Sequence, residues 1–120
     1  MPELLLVEDN EMNRNMLSRR LERRGYEVRI AENGAQAIDK VTEEHPDLVL
    51  MDLSLPVMDG WEATERLRDK PRTAELPIVA LTAHALEQER DSAIEAGCDA
   101  VETKPVDLDS LLATVDEHLP

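Results

Sequence analysis

The chain has 120 residues, with 13 Lys plus Arg against 27 Asp plus Glu and a formal net charge of −14. That balance argues against nucleic acid or an anionic membrane as the main partner and favours cations and basic protein patches. Apolar residues make up 42% but Tyr26 and Trp61 are the only aromatics, so the core must come from Leu, Val, Ile, Ala and Met, and the length suits a single domain over 1–120.

In chain order, "ELLLVE" (3–8) reads as a strand. Residues 11–24 read as a helix carrying Met12, Met16, Leu17 and Leu21 on one side, stopped by Gly25. "EVRI" (27–30) is a weaker strand, and 33–44 is a helix with Asn33 as N-cap and Ala37, Ile38 and Val41 inward. "DLVLMD" (47–52) is a strand, followed by a helix over 59–70 with Asp59 as its cap and Ala63 and Leu67 inward. The loop "KPRTAEL" (70–76) leads to the strand "PIVALT" (77–82), a helix over 85–96 ended by Gly97, the short strand "AVET" (100–103) and a helix over 108–119. That last helix has the clearest 3.6-residue stripe, made by Leu108, Leu111, Leu112, Val115 and Leu119.

Strand and helix thus alternate five times. This pattern predicts an α/β fold, a doubly wound, five-stranded parallel sheet with five helices, and the order expected for it is the flavodoxin-like 2-1-3-4-5, in which strands one and three are neighbours. The continuous apolar runs at 4–7, 48–51 and 78–81 fit strands buried on both faces.

Ligands of such sheets sit beyond the carboxyl ends of the strands, at the switch in strand order. Strand one ends in Glu8 and Asp9, strand three in Asp52, strand four in Thr82 and strand five in Lys104. With strands one and three adjacent, three carboxylates converge, and hard oxygen donors with room for water suit Mg²⁺. A carboxylate there can act as a nucleophile. Thr82 and Lys104 supply donors suited to phosphoryl oxygens. The chemistry this implies is transfer of a phosphoryl group onto an aspartate.

The motifs "LVEDN" (6–10), "DLVLMDLSLPVMDG" (47–60), "IVALTA" (78–83) and "ETKPVD" (102–107) stand in order at the ends of four strands. With them the whole chain resembles a receiver domain of the two-component response regulator family, of the single-domain, chemotaxis-regulator type. The resemblance implies that Asp52 is the phosphoacceptor and that Glu8, Asp9, Asp52 and the backbone carbonyl of Ser54 hold Mg²⁺. It also implies that Thr82 is the switch hydroxyl, Lys104 the phosphate-bridging lysine and Lys104-Pro105 a cis bond. The implied donor is a sensor histidine kinase or histidine phosphotransfer protein, and the implied output is binding of a downstream protein. Activity would be limited to self-phosphorylation and self-dephosphorylation. Ser54 and His84 flank the route of an attacking water and would tune the lifetime of the phosphoryl group.

The first helix concentrates Arg14, Arg19, Arg20, Arg23 and Arg24 against only Glu11 and Glu22, which is either a solvated basic face or a dock for the phosphoryl donor. The last two helices are expected to be acidic outside, through Glu87, Glu89, Asp91, Glu95, Asp107, Asp109, Asp116 and Glu117. Val101 departs from the family, in which many members carry Tyr or Phe three residues before the lysine; an aliphatic side chain cannot report by swinging a ring. His45, His84 and His118 share no metal-ligand spacing. Cys98, the only cysteine, cannot form an internal disulfide and reads as a small buried residue. "MPELLLVEDN" has no basic start and no run approaches the ~20 apolar residues of a membrane span, so the expected location is the cytoplasm.

Four other readings compete, one of them a receiver-shaped scaffold that is never phosphorylated, against which the complete acidic set with Thr82 and Lys104 argues. A receiver module cut from a hybrid kinase or larger regulator would look the same. An Asp-nucleophile phosphohydrolase usually has a second Asp two residues after the first, where this chain has Ser54. A flavodoxin-like cofactor carrier needs a Ser/Thr/Gly-rich phosphate loop, and "EDNEMN" (8–13) would repel the phosphate.

Overall fold

The computed structural model describes residues 1–84 and 86–120. Five strands, β1 (Glu3–Val7), β2 (Glu27–Ala31), β3 (Leu48–Asp52), β4 (Ile78–Thr82) and β5 (Ala100–Thr103), alternate with α1 (Glu11–Arg23), α2 (Gly34–Glu43), α3 (Gly60–Arg68), α4 (Glu87–Ala96) and α5 (Leu108–His118). The sheet runs β2-β1-β3-β4-β5, and every pair is parallel. Fold class and strand order are as the sequence predicts.

Strand alternation divides the core in two. Leu5, Val7, Val49, Met51, Ile78 and Ala80 face one side, where Ala37 and Val41 of α2, Ala63 and Leu67 of α3 and Ala93 of α4 cover them. Leu4, Leu6, Leu48, Leu50, Val79 and Leu81 face the other, under Leu21 of α1 and Leu111 and Val115 of α5. Both faces are covered, so β1, β3 and β4 are apolar at consecutive positions. Tyr26 closes the second core: its hydroxyl donates to Asp116 Oδ1 at 2.6 Å, and burial, with that carboxylate beside it, pushes its pKa up to about 12.

The predicted caps form. Asn33 Oδ1 accepts from the Gln36 N–H and Asp59 Oδ1 from the Glu62 N–H, while Gly25 and Gly97 take positive φ (95° and 118°) behind α1 and α4. Cys98 is buried, its Sγ 3.7 Å from Thr64 Oγ1, and burial pushes its thiol pKa up. The helix expected over 85–96 is found from Glu87, and Ala85 lies outside the described residues.

The predicted inner side of α1 needs correction. Leu21 is buried and Leu17 packs on the core, but Met12 and Met16 are exposed. At about 100° per residue they stand about 180° and about 140° around the helix from Leu21. The inward face is instead Arg14, Leu17, Ser18 and Leu21. The expected acidic exterior forms: seven of the eight acids are exposed, Asp107 also caps α5 and Asp116 also holds Tyr26, and Glu89 alone is half-buried.

Candidate functional site

The site lies where the carboxyl ends of β1, β3, β4 and β5 meet. Val7 ends β1, and Glu8 and Asp9 follow before Asn10 caps α1. Asp52 is the last residue of β3, with four fully buried residues behind it holding the strand end in place. The Glu8 and Asp52 side chains are buried, and one carboxylate oxygen each from Glu8, Asp9 and Asp52 lies within 4.8 Å of the others. The convergence predicted from strand adjacency therefore occurs.

Lys104 reaches across from β5. Its Nζ donates to Asp52 Oδ2 at 2.7 Å and to Glu8 Oε1 at 2.8 Å. Burial by itself pulls the ammonium's pKa down, but the hydrogen bonds and charges of Asp52 and Glu8 outweigh it and hold Lys104 above the ordinary lysine value. The Ser54 N–H donates to Asp52 Oδ1 at 3.1 Å, so both Asp52 oxygens have donors. The Lys104-Pro105 bond is cis, as expected.

The loop from β3 to α3 sits against this strand end. Gly60 N–H donates to the Leu53 carbonyl at 3.0 Å, and the Met58 carbonyl accepts from the Gly34 N–H at 2.9 Å. Val57, 87% exposed, carries φ of 66° at the centre of a tight turn in which Met58 N–H donates to the Pro56 carbonyl. Positive φ is strained for a β-branched residue.

Three contacts escaped sequence reasoning. By sequence Arg14 belongs with the docking arginines, but its side chain is only 13% exposed and its Nη1 donates to the carbonyls of Glu8 (3.1 Å) and Asp9 (3.4 Å). Glu32 Oε1 lies 3.8 Å from the same nitrogen. A helical wheel puts Arg14 on the face of Leu17 and Leu21, but its contact with the Glu8–Asp9 turn comes only from the docking of α1. The second contact joins the Thr82 hydroxyl to Glu89 of α4, and the third is the close approach of Gly60 to the Asp52 backbone.

Three carboxylates and one ammonium leave a charge of −2, which a divalent cation cancels. All the side-chain donors are hard oxygens, and Asp9 is exposed where waters could complete a shell. The donor set fits Mg²⁺. Arg14→Ala is expected to weaken Mg²⁺ binding about tenfold, the usual scale for loss of a partner that orients ligands, with little change in melting temperature. Titration calorimetry with Mg²⁺ checks this, and an unchanged affinity would show that the turn holds itself.

Among the described residues no helix is long and apolar enough to cross a membrane. The response regulator receiver domain family model matches residues 4–116. The polar-differentiation response regulator DivK of Brucella ovis is 34% identical over 116 residues, 97% of this chain and 94% of that protein. The receiver domain of the sensor histidine kinase PA1611 from Pseudomonas aeruginosa PAO1, with a magnesium ion coordinated in its active site cleft, matches with a TM-score of 0.91 at 35% identity, over 98% of this chain and 96% of that one. The receiver domain of the Saccharomyces cerevisiae response regulator Ssk1, solved with the histidine phosphotransfer signaling protein Ypd1, matches with a TM-score of 0.91 at 32% identity, over 98% of this chain and 88% of that one. A family match spanning nearly the whole chain, on a sheet that gathers the predicted strand-end acids into a magnesium site, makes this protein a member of the response regulator receiver domain family of two-component signalling.

Proposed function

We propose that Asp52 is the phosphoryl acceptor of this receiver and that residues 1–120 act as one unit, phosphorylated by a histidine phosphotransfer protein or sensor kinase. The observation that carries the reading is the state of Asp52. Its carboxylate is buried at a strand end, held by Lys104 on one oxygen and the Ser54 N–H on the other, beside two more acids. A buried carboxylate in such company is costly as a purely structural group, because like charges repel and desolvation penalises each of them.

An Asp52 oxygen forms the new O–P bond as the N–P bond of the donor phosphohistidine breaks, and the departing nitrogen keeps the electron pair. Lys104, already aimed at Asp52, takes up charge on the transferred oxygens. Glu8 and Asp9, with Asp52 and the Ser54 backbone carbonyl, hold Mg²⁺, which when bound neutralises charge on the transferring group. The pocket passes from near neutral to about −1, since acylated Asp52 loses its charge and the phosphoryl brings about −2. Thr82 then turns its hydroxyl to the phosphoryl, and the shifted face binds a downstream protein in the cytoplasm. Catalysis stops at the protein's own phosphorylation and dephosphorylation; Ser54, in the position where a phosphohydrolase usually has its second Asp, argues against turnover of other substrates. Acetyl phosphate with Mg²⁺ tests the reading: the intact protein should gain one phosphoryl mass, removable by hydroxylamine.

Donor docking is assigned to α1. Met12 and Met16 are exposed beside Arg19, Arg20 and Arg23, which together line a shallow groove, and the deeper groove next to it runs from Met16 and Arg20 to Lys104 and Pro105. Arg19, Arg20, Arg23 and Arg24 are exposed and form no ion pair among the described residues. Exposed apolar side chains ringed by unpaired cations suit a partner with an apolar centre and an acidic rim. Replacing Arg19, Arg20 and Arg23 by Glu should slow transfer from the cognate phosphodonor about 10- to 100-fold at low salt, while labelling by acetyl phosphate is unchanged. Equal transfer rates for variant and parent would remove α1 as the dock.

A further inference from the structure

Thr82 is turned away from the role just given to it. Its hydroxyl donates to Glu89 Oε2 at 3.2 Å and accepts the His84 backbone N–H at 3.1 Å. Thr82 is buried, and Glu89 stands in the first turn of α4, half-buried over it. A threonine hydroxyl has one proton. It cannot donate to Glu89 and to a phosphoryl oxygen at the same time.

We propose that Glu89 is a positioning residue that competes with the phosphoryl group on Asp52 for the single proton of Thr82, and that this competition sets the switch equilibrium and carries it to α4. The proposal rests on Asp52 being the acceptor. Before phosphorylation the Glu89 carboxylate is the acceptor that Thr82 reaches, so Thr82 is held on the α4 side. After phosphorylation a group of about −2 charge competes from the Asp52 side, Thr82 turns to it, and Glu89 loses its buried donor. The first turn of α4 then has a carboxylate free to seek water or another partner. This gives the switch a direct route to α4 that needs no aromatic ring, which matters because Val101 has none to move.

The energetic consequence is a tax on activation. A phosphoryl mimic must break the Thr82–Glu89 hydrogen bond before it gains Thr82, and its apparent affinity is reduced by the fraction of molecules already free of that bond. Removing Glu89 removes the tax.

Beryllium fluoride, titrated with saturating Mg²⁺ into the full 120-residue chain, tests this, with the ¹⁵N–¹H resonance of His84 followed in parallel. Glu89→Ala should raise the apparent affinity by about tenfold, the scale of one hydrogen bond to a charged group. In the absence of the mimic, Glu89→Ala should also move the His84 amide toward its position in the complex. Glu89→Gln keeps an acceptor of the same length without the charge and should give a smaller rise. The decisive comparison is the same change in a Thr82→Ala background, where the effect of Glu89→Ala should fall within about twofold. A merely structural role of Glu89 in α4, or simple repulsion between its charge and the mimic, would act equally in both backgrounds, and an equal effect overturns the proposal. Binding to the parent with no effect of Glu89→Ala overturns the proposal alone. No binding to the parent overturns it together with the assignment of Asp52.

Discussion

Asp52→Asn should abolish phosphoryl acceptance. The replacement is nearly isosteric, and its carbonyl oxygen can still accept the Ser54 N–H that now reaches Asp52 Oδ1. What it lacks is the anionic oxygen proposed as the nucleophile, and one of the three carboxylate charges that gather with Glu8 and Asp9. Lys104 keeps its second partner, Glu8 Oε1 at 2.8 Å, so the ammonium is not left orphaned. The fold should therefore persist while labelling by acetyl phosphate falls by more than about a thousandfold, the scale seen when a nucleophile is removed. Intact-protein mass after incubation with Mg²⁺ and acetyl phosphate gives the answer in one measurement. A variant that gains the phosphoryl mass as fast as the parent would move the acceptor to another residue.

Gly60→Ala should be the most damaging small substitution near the site. A Cβ at Gly60 would overlap the backbone carbonyl oxygen of Asp52 and stand 2.8 Å from Leu53 Cα. Both obstacles are main chain, so no rotamer change relieves them. Either α3 backs away from the sheet, breaking the 3.0 Å bond from Gly60 N–H to the Leu53 carbonyl, or the end of β3 shifts and takes Asp52 with it. Overpacking of this kind costs about 3 kcal/mol, and a lowering of the thermal midpoint by about 10 °C or more should follow. Circular dichroism melts check the stability, and acetyl phosphate labelling of the folded variant checks the displacement of Asp52. A parent-like midpoint with parent-like labelling would mean that α3 moves freely at its first turn.

Much of this molecule was legible before folding. The apolar runs at 4–7, 48–51 and 78–81 marked buried parallel strands because only strands covered on both faces are apolar at consecutive positions. Asn33, Asp59 and Gly97 marked helix ends because capping is a local exchange of backbone hydrogen bonds, decided within a few residues. Glu8, Asp9, Asp52 and Lys104 could be read as one site because parallel topology sends every strand's carboxyl end to the same edge.

What the sequence left open was the choice among faces and partners. The spacing of Met12 and Met16 with Leu17 and Leu21 looked like one stripe, but the sheet selects a face centred on Leu17 and Leu21, which turns both methionines to solvent and Arg14 inward. Arg14 counts as one more surface cation in the sequence, and as the clamp on the Glu8–Asp9 turn only once α1 is docked. Glu89 counts as one of eight exterior acids, and as the partner of Thr82 only once α4 lies over the end of β4. The contact of Gly60 with Asp52 exists only because α3 begins against the strand it follows. Composition, periodicity and caps are properties of neighbours along the chain, so the sequence alone determined the elements, their order and the site's chemistry. Which side chain meets which across a crossover depends on helix rotation and on the packing of one layer over another, and those were decided by the tertiary structure, where burying the most apolar surface outweighs any single contact.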